Sequence, residues 1–371
     1  MLEERQTCFY YSITASEYIM LTGGATSATT FAFDNELEVV AGVPGGIATF
    51  KDSVILYYDY AHHMIFYCTG GKEDAKLHAG WLNEGVHVAK ANNWGLAGSK
   101  EQRDAIAAAE IGKGKLSAKY LPEVKVGGAL PVINILRSLL NSGDIIHRVD
   151  GMISVSMSYI MFRISPPVYF DCNTSFDERI SNGVFSEEFS SNVGEVCSLS
   201  QAVKEAVALG LMEDDPGKDL NNEYTSRCLM ILAKELGVDH NTSMQEIQEV
   251  GEKLVDGDVD FTNITEEVDQ KVQEKVKAAL DKGCVLRHIA SVDVTQEQIE
   301  IKLLEVPNTH IFAITPPGCE CVRLFTERHI RYPVIIQGPS AGADSTASAP
   351  PAEFLSHVRS RVSLQVQLPT D

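Results

Sequence analysis

The sequence predicts a mixed α/β fold built in two parts, and two observations predict it. Short apolar runs closed by glycine at residues 37–43 and 64–69 read as strands buried on both faces of a parallel sheet. Much later, residues 285–294, 298–306, 310–314, 321–326 and 334–337 follow one another as β-rich runs, the pattern of a largely antiparallel sheet.

The elements between these landmarks follow in order. Residues 73–84 place Ala75, Leu77, Ala79 and Leu82 at helical spacing, and Gly85 ends that helix ahead of a strand at 86–89. Together with the run at 64–69 this makes a β-α-β unit. Residues 130–140 put Ile133, Leu136 and Leu140 on one face, with Pro131 in an early turn and a stop at Asn141-Ser142-Gly143. Residues 149–160 read as a strand, a serine-rich turn and the start of a helix; further helices are expected at 200–209 and 223–236. The Glu- and Lys-rich stretch 265–282 reads as a helix with a solvated charged face, ended by Gly283. A small-residue, proline-interrupted tail occupies 340–351.

With 371 residues, the chain is long enough for two or three packed domains. A formal net charge of −20 opposes binding to phosphate backbones and anionic membrane surfaces, so neither nucleic acid nor membrane is expected as a partner. Eight cysteines scattered over this length fit a reducing compartment rather than a disulfide framework. Cys319-Glu320-Cys321 lacks a second Cys/His pair at zinc spacing, which makes these thiols ordinary core groups. The N-terminal segment has no basic lead and no long apolar run, so no secretion signal is expected and the location is cytoplasm or organelle matrix.

Two segments have the composition of ligand sites. A dinucleotide-binding turn needs a strand, a glycine-rich corner and a helix, so that pyrophosphate can approach the helix N-terminus. Residues 18–28 offer Gly23 and Gly24 for such a corner, but Ala25 stands where a further glycine belongs; a Gly-Gly turn without function is the alternative. Residues 211–221 place Glu213 and Asp219 on a turn ahead of the apolar helix 223–236, where paired carboxylates suit a small cationic ligand. An acidic turn capping the next helix is the alternative there.

Four blocks resemble homoserine dehydrogenases, in the family's order. Cys68-Thr69 with Gly85-Val-His-Val-Ala-Lys-Ala-Asn-Asn93 is similar to the family's Asp-Cys-Thr and its strand ending in Asn-Lys. Glu123-Val-Lys-Val-Gly-Gly-Ala-Leu-Pro131, running through Asn141-Ser-Gly-Asp144 to Asp150-Gly151, resembles Glu-Ala-Thr-Val-Gly-Ala-Gly-Leu-Pro, Asn-Thr-Gly-Asp and Glu-Gly. Residues 211–221 with Ser226-Arg227-Cys228 resemble the substrate loop and its Ala-Arg-Lys helix. Residues 332–344 resemble the return segment bearing Gly-Ala-Gly-Ala.

The resemblance implies a degenerate Rossmann-like nucleotide-binding domain over residues 1–120, incomplete in its first unit. It implies an α+β catalytic and dimerisation domain over 121–330, and a C-terminal return with a flexible tail over 331–371. It implies reduction of aspartate semialdehyde to homoserine with NADP or NAD as the cofactor, in threonine and methionine biosynthesis, by a homodimer. On the same ground Gly23, Gly24, Thr69, Asn92, Gly338, Ala341 and Gly342 are the cofactor positions, and Glu213, Asp219 and Ser156 the substrate positions. Glu123 and main-chain carbonyls at Val126 and Gly128 would hold a monovalent cation, Na+ or K+. The two lysine positions of the family read Asn93 and Cys228, and Lys218 replaces the first aspartate of the family's Asp-Asp pair. Neither Asn93 nor Cys228 supplies positive charge beside a developing alkoxide. A catalytically inactive member, acting as a binding or assembly subunit, is therefore the alternative.

Overall fold

The computed structural model describes strand backbone at 7–13, 18–27, 30–32, 37–40 and 63–67. It further describes residues 74–90, 95, 98–111, 118–121, 126–128, 130–167, 196–213, 215–238, 243–257 and 259–340. The chain divides into two compact units, residues 1–125 with 347–371, and residues 126–346.

The first unit carries a seven-stranded sheet. β1 (Thr7–Ile13) and β2 (Tyr18–Ser27) form an antiparallel hairpin, with β3 (Thr30–Ala32) and β4 (Leu37–Val40) both antiparallel to β2. β5 (His63–Tyr67) then lies parallel to β1 on one side and to β6 (Val86–Lys90) on the other, and β7 (Tyr120–Leu121) continues parallel to β6. Between β5 and β6 the chain makes a 3-10 turn, Asp74–Leu77, and helix α1, His78–Asn83, and Gly85 follows in the left-handed region at φ 86°. The expected β-α-β unit is thus present. Helix α2 (Lys100–Ile111), which periodicity did not flag, precedes β7.

Two expectations for this unit are corrected. The run at 37–43 is not part of the parallel set; its strand β4 pairs antiparallel with β2. Gly23 and Gly24 are not a turn: they lie inside β2, opposite Cys8 and Thr7. The reason is connection length. So few residues separate β1 from β2 that only a hairpin can join them, because a parallel crossover needs about a dozen residues or more.

The second unit is a five-stranded antiparallel sheet with a helical layer. Its strands are β8 (Ile146–Met152), β9 (Cys284–Asp293), β10 (Gln298–Pro307), β11 (Cys319–Thr326) and β12 (Val334–Pro339), in the order β10-β9-β8-β11-β12. The helices are α3 (Val132–Asn141), α4 (Val155–Ile164), α5 (Leu199–Ala208), α6 (Pro216–Leu220), α7 (Glu223–Leu236), α8 (Met244–Val250), α9 (Glu266–Leu280) and α10 (Ile311–Ile314). Residues 310–314 had the look of a strand and form this last helical turn instead. The His310 ring accepts the Phe312 N–H at 3.2 Å and caps it, and four apolar residues in a row fit either structure.

The core of this unit gathers around α4, which is buried from Ser156 to Ile164. Ile160 and Met161 pack with Leu199 and Val203 of α5, Val276 of α9 and Leu286 of β9. Each such side chain contributes about 1.5–3 kcal/mol by burial alone. The sheet is joined to α4 through a buried cation: Arg287 of β9 donates to the carbonyls of Met161, Ser165, Leu286, Phe312 and Ala313.

Candidate functional site

The N-terminus of α4 and the segment through α6 into α7 bring polar groups together inside the second unit. Ser154 caps α4 by accepting the Met157 N–H, and its Oγ lies 3.0 Å from Ser156 Oγ. Ser156 donates to Asp219 Oδ1 at 2.7 Å, while Asp219 Oδ2 accepts the Glu213 N–H at 3.0 Å. The Glu213 carboxylate is ion-paired with Arg227 of α7, and Arg227 also donates to Glu223 at 2.8 Å. Asp219 is 3% exposed. Burial pushes its pKa up, against the hydrogen bonds from Ser156 and the Glu213 amide. Burial also raises the Glu213 carboxyl, despite the opposing Arg227 charge. The network holds one carboxylate fully hydrogen-bonded and the other neutralised, which is how carboxylates are kept out of water at tolerable cost.

The corner between α6 and α7 fixes this geometry. Asp215 starts α6 by accepting the Gly217 N–H at 2.9 Å, with Pro216 at the first helical position. Asn222, buried at φ 67°, then turns the chain. Its amide nitrogen donates to the Glu252 carbonyl at 3.0 Å, so its oxygen faces His288 Nε2 at 2.9 Å. Burial lowers the His288 pKa to about 4, so the ring is neutral and donates through Nε2–H.

In the first turn of α7, Tyr224 is hydrogen-bonded to Cys228, one turn further on. Cys228 is 0% exposed and its thiol is pushed up to about 12, chiefly by burial and then by the nearby Glu320 carboxylate. It is a neutral thiol at physiological pH. Glu320, on β11, is itself 1% exposed, and burial pushes it up to about 8. The Ser340 hydroxyl pulls the other way, yet neither Glu320 Oε2 nor Ser340 Oγ completes a hydrogen bond among the described residues.

The remaining sequence-predicted positions are distributed as follows. Ser156, Glu213 and Asp219 come together as described. Gly128, at φ 55°, presses against Ser340: a Cβ there would stand 2.1 Å from the Ser340 carbonyl oxygen, so only glycine fits. Val126 is buried beside it in sequence, and Glu123 lies outside the described residues. Among the described residues no group of three or more His, Cys, Asp or Glu side chains is arranged to hold a metal ion. Gly338 sits in β12 opposite Glu320. Gly23 and Gly24 are in mid-strand, and Thr69, Asn92, Asn93, Ala341 and Gly342 lie outside the described residues. Cys319 and Cys321 are free buried thiols, as expected. No helix among the described residues is long and apolar enough to cross a membrane.

Sequence reasoning missed Glu320, Arg227, Asn222 and His288 as parts of this site. Glu320 carried a signal that was available: a charged residue between two apolar thiols at the start of a strand is costly unless it has a use.

Comparison with known proteins places these features. Residues 131–355 match the homoserine dehydrogenase family model. Over 287 residues the chain is 28% identical to the Arabidopsis thaliana chloroplastic bifunctional aspartokinase/homoserine dehydrogenase 2, a match covering 76% of this chain and 27% of that protein. The chain thus spans about a quarter of the length of that relative. Among solved structures, a Candida auris protein of unknown function superposes with TM-score 0.69 at 23% identity, covering 87% of this chain and 82% of that one. A hyperthermophilic archaeal homoserine dehydrogenase in complex with NADPH gives TM-score 0.54 at 17% identity, covering 88% and 78%.

Proposed function

The chain belongs to the homoserine dehydrogenase family, and from that membership we propose that it interconverts aspartate semialdehyde and homoserine with NADPH or NADH. The observation that carries this reading is the buried Ser156–Asp219–Glu213 network, with Arg227 behind it. A carboxylate held in place without water is suited to the ammonium of a small amino acid, and Ser156 orients it. Lys218, in the last turn of α6, bears on Glu213 and favours its charged form. Asp219 is therefore the better anchor for the substrate amine.

The cofactor fits the parallel part of the first sheet and not its hairpin. Thr69 and Asn92 follow β5 and β6, and ligands of open α/β sheets bind beyond the C-terminal ends of such strands. Those two residues would hold the dinucleotide on the first unit; Gly23 and Gly24, in mid-strand, would not serve as a phosphate-binding turn. When bound, a nicotinamide supplies or accepts the hydride. Carbonyls at Val126 and Gly128 with Glu123 would hold Na+ or K+. A homodimer working in threonine and methionine biosynthesis, in cytoplasm or an organelle matrix, completes the reading.

A second reading, a non-catalytic member kept for binding or assembly, is favoured by Cys228. A neutral buried thiol stands where the family keeps a lysine. Oxidation of homoserine, followed at the nicotinamide absorbance, separates the two. Turnover by the natural chain supports the reductase. Turnover appearing only in the combined Asn93→Lys and Cys228→Lys variant supports the second reading.

A further inference from the structure

Three carboxylates bear on Tyr224 or Cys228, and of these Glu320 alone has a buried oxygen with no hydrogen-bond partner among the described residues. Asp219 uses both its oxygens on Ser156 and the Glu213 amide, and Glu213 is engaged by Arg227. Glu320 Oε2 has no hydrogen-bond partner among the described residues although the side chain is 1% exposed. The Glu320 carboxyl acts electrostatically on both Tyr224 and Cys228, which puts it near the position that the family fills with a lysine.

Resting on the reductase reading above, we propose that Glu320 is the acid that protonates the substrate oxygen during reduction, in place of the ammonium lost at Cys228. As the new C–H bond forms at the aldehyde carbon, the C=O π pair moves to oxygen. That oxygen takes the proton of the Glu320 carboxyl, leaving an alcohol and a Glu320 carboxylate; the carboxylate then regains a proton from water. A neutral carboxylic acid kept protonated by an apolar site can serve as a hydrogen-bond or proton donor to a developing oxyanion. The titratable and charged groups facing it are Tyr224 and Cys228 of α7 and Cys319 on its own strand, with Asp219, Glu213 and Arg227 one step behind. Of these, the thiols and the phenol are neutral at pH 7. Arg227 is already neutralised by Glu213 and Glu223.

The experiment compares the full natural chain with Glu320→Gln. For semialdehyde reduction, kcat of the natural chain should fall as pH rises past about 8, the range in which Glu320 loses its proton. Glu320→Gln should lower kcat by about 100-fold or more, leave KM within a few-fold and abolish that alkaline limb. A second readout needs no turnover. A carboxyl whose folded pKa is raised stabilises the fold fully below its ordinary value of 4.5, and that stability is lost as pH rises through about 8. Relative to Glu320→Gln, the natural chain should therefore lose urea resistance between those limits. Unchanged kcat in Glu320→Gln, or a rise in KM alone, overturns the proposal while the reductase reading stands. A stability difference that does not vary with pH also overturns it, because the carboxyl is then not held neutral. No turnover by the natural chain at any pH overturns the reductase reading and this proposal together.

Discussion

At the scale of single residues, the site separates charge from shape at Asp219. Its two oxygens accept from Ser156 and from the Glu213 amide; the amide is a fixed donor, whereas the Ser156 hydroxyl can reverse and donate to Ser154 instead. Asp219→Asn can therefore keep both contacts, with its NH2 toward Ser156, and should cost about 1 kcal/mol or less. Asp219→Ala leaves the Glu213 amide unpaired and should cost about 1–3 kcal/mol. If Asp219 holds the substrate ammonium, Asp219→Asn should also raise KM for homoserine by about tenfold with little change in kcat. Urea denaturation and steady-state kinetics on the two variants check both halves. Equal destabilisation by Asn and Ala would show that Ser156 does not reverse. Arg287 is the opposite case, a cation held by carbonyls and by no acid among the described residues. Burial lowers its pKa to about 9, yet it stays charged at neutral pH, and its five carbonyl acceptors depend on it. Arg287→Met should cost about 3 kcal/mol or more, because several buried carbonyls lose their donor at once.

At the scale of elements, the α6–α7 corner is the device that aims Tyr224 and Cys228. Asn222 pays the strain of the left-handed region, roughly 1–2 kcal/mol for a residue with a side chain, and its amide bridges Glu252 and His288. Two variants separate strain from bridging. Asn222→Gly removes the strain and both bridges, whereas Asn222→Ala keeps the strain and loses the bridges, so Ala should be the less stable by about 1 kcal/mol. The same corner makes stability depend on acid. The folded His288 pKa is depressed from 6.5 to about 4, so its contribution is present above pH 6.5 and is lost as pH falls through about 4. His288→Gln should flatten that acid limb in urea titrations. The corner was not legible beforehand, because the left-handed turn at Asn222 and the buried role of His288 depend on a strand distant in sequence. Helix α7 and strands β9 and β11 were legible, since their apolar periodicity is local. Residues 310–314 were misread for the complementary reason: Ile-Phe-Ala-Ile carries no period, and the deciding cap comes from one histidine side chain. In the site, the quoted motif led to Glu213, Asp219 and Cys228. Glu320 lay outside the four family-like blocks and became visible only when the fold brought it near Tyr224 and Cys228 of α7.

At the scale of the whole molecule, the chain holds two separately packed bodies, one of them built from sequence-distant ends. The unit of residues 126–346 has its own core around α4 and a five-stranded antiparallel sheet, while residues 1–125 and 347–371 are grouped in the other unit. Domains with independent cores unfold independently unless a large apolar interface couples them. Residues 126–346 expressed alone should therefore fold and unfold cooperatively, and calorimetry of the full chain should resolve a transition at the same temperature. The acidic excess adds a condition to that measurement. With 51 acidic and 31 basic residues, self-repulsion opposes compaction, so both the fragment and the full chain should melt higher at about 0.15 M salt than in dilute buffer. A fragment that stays unfolded at the higher salt, together with one indivisible transition in the full chain, would mean that the second core closes only in the presence of the first.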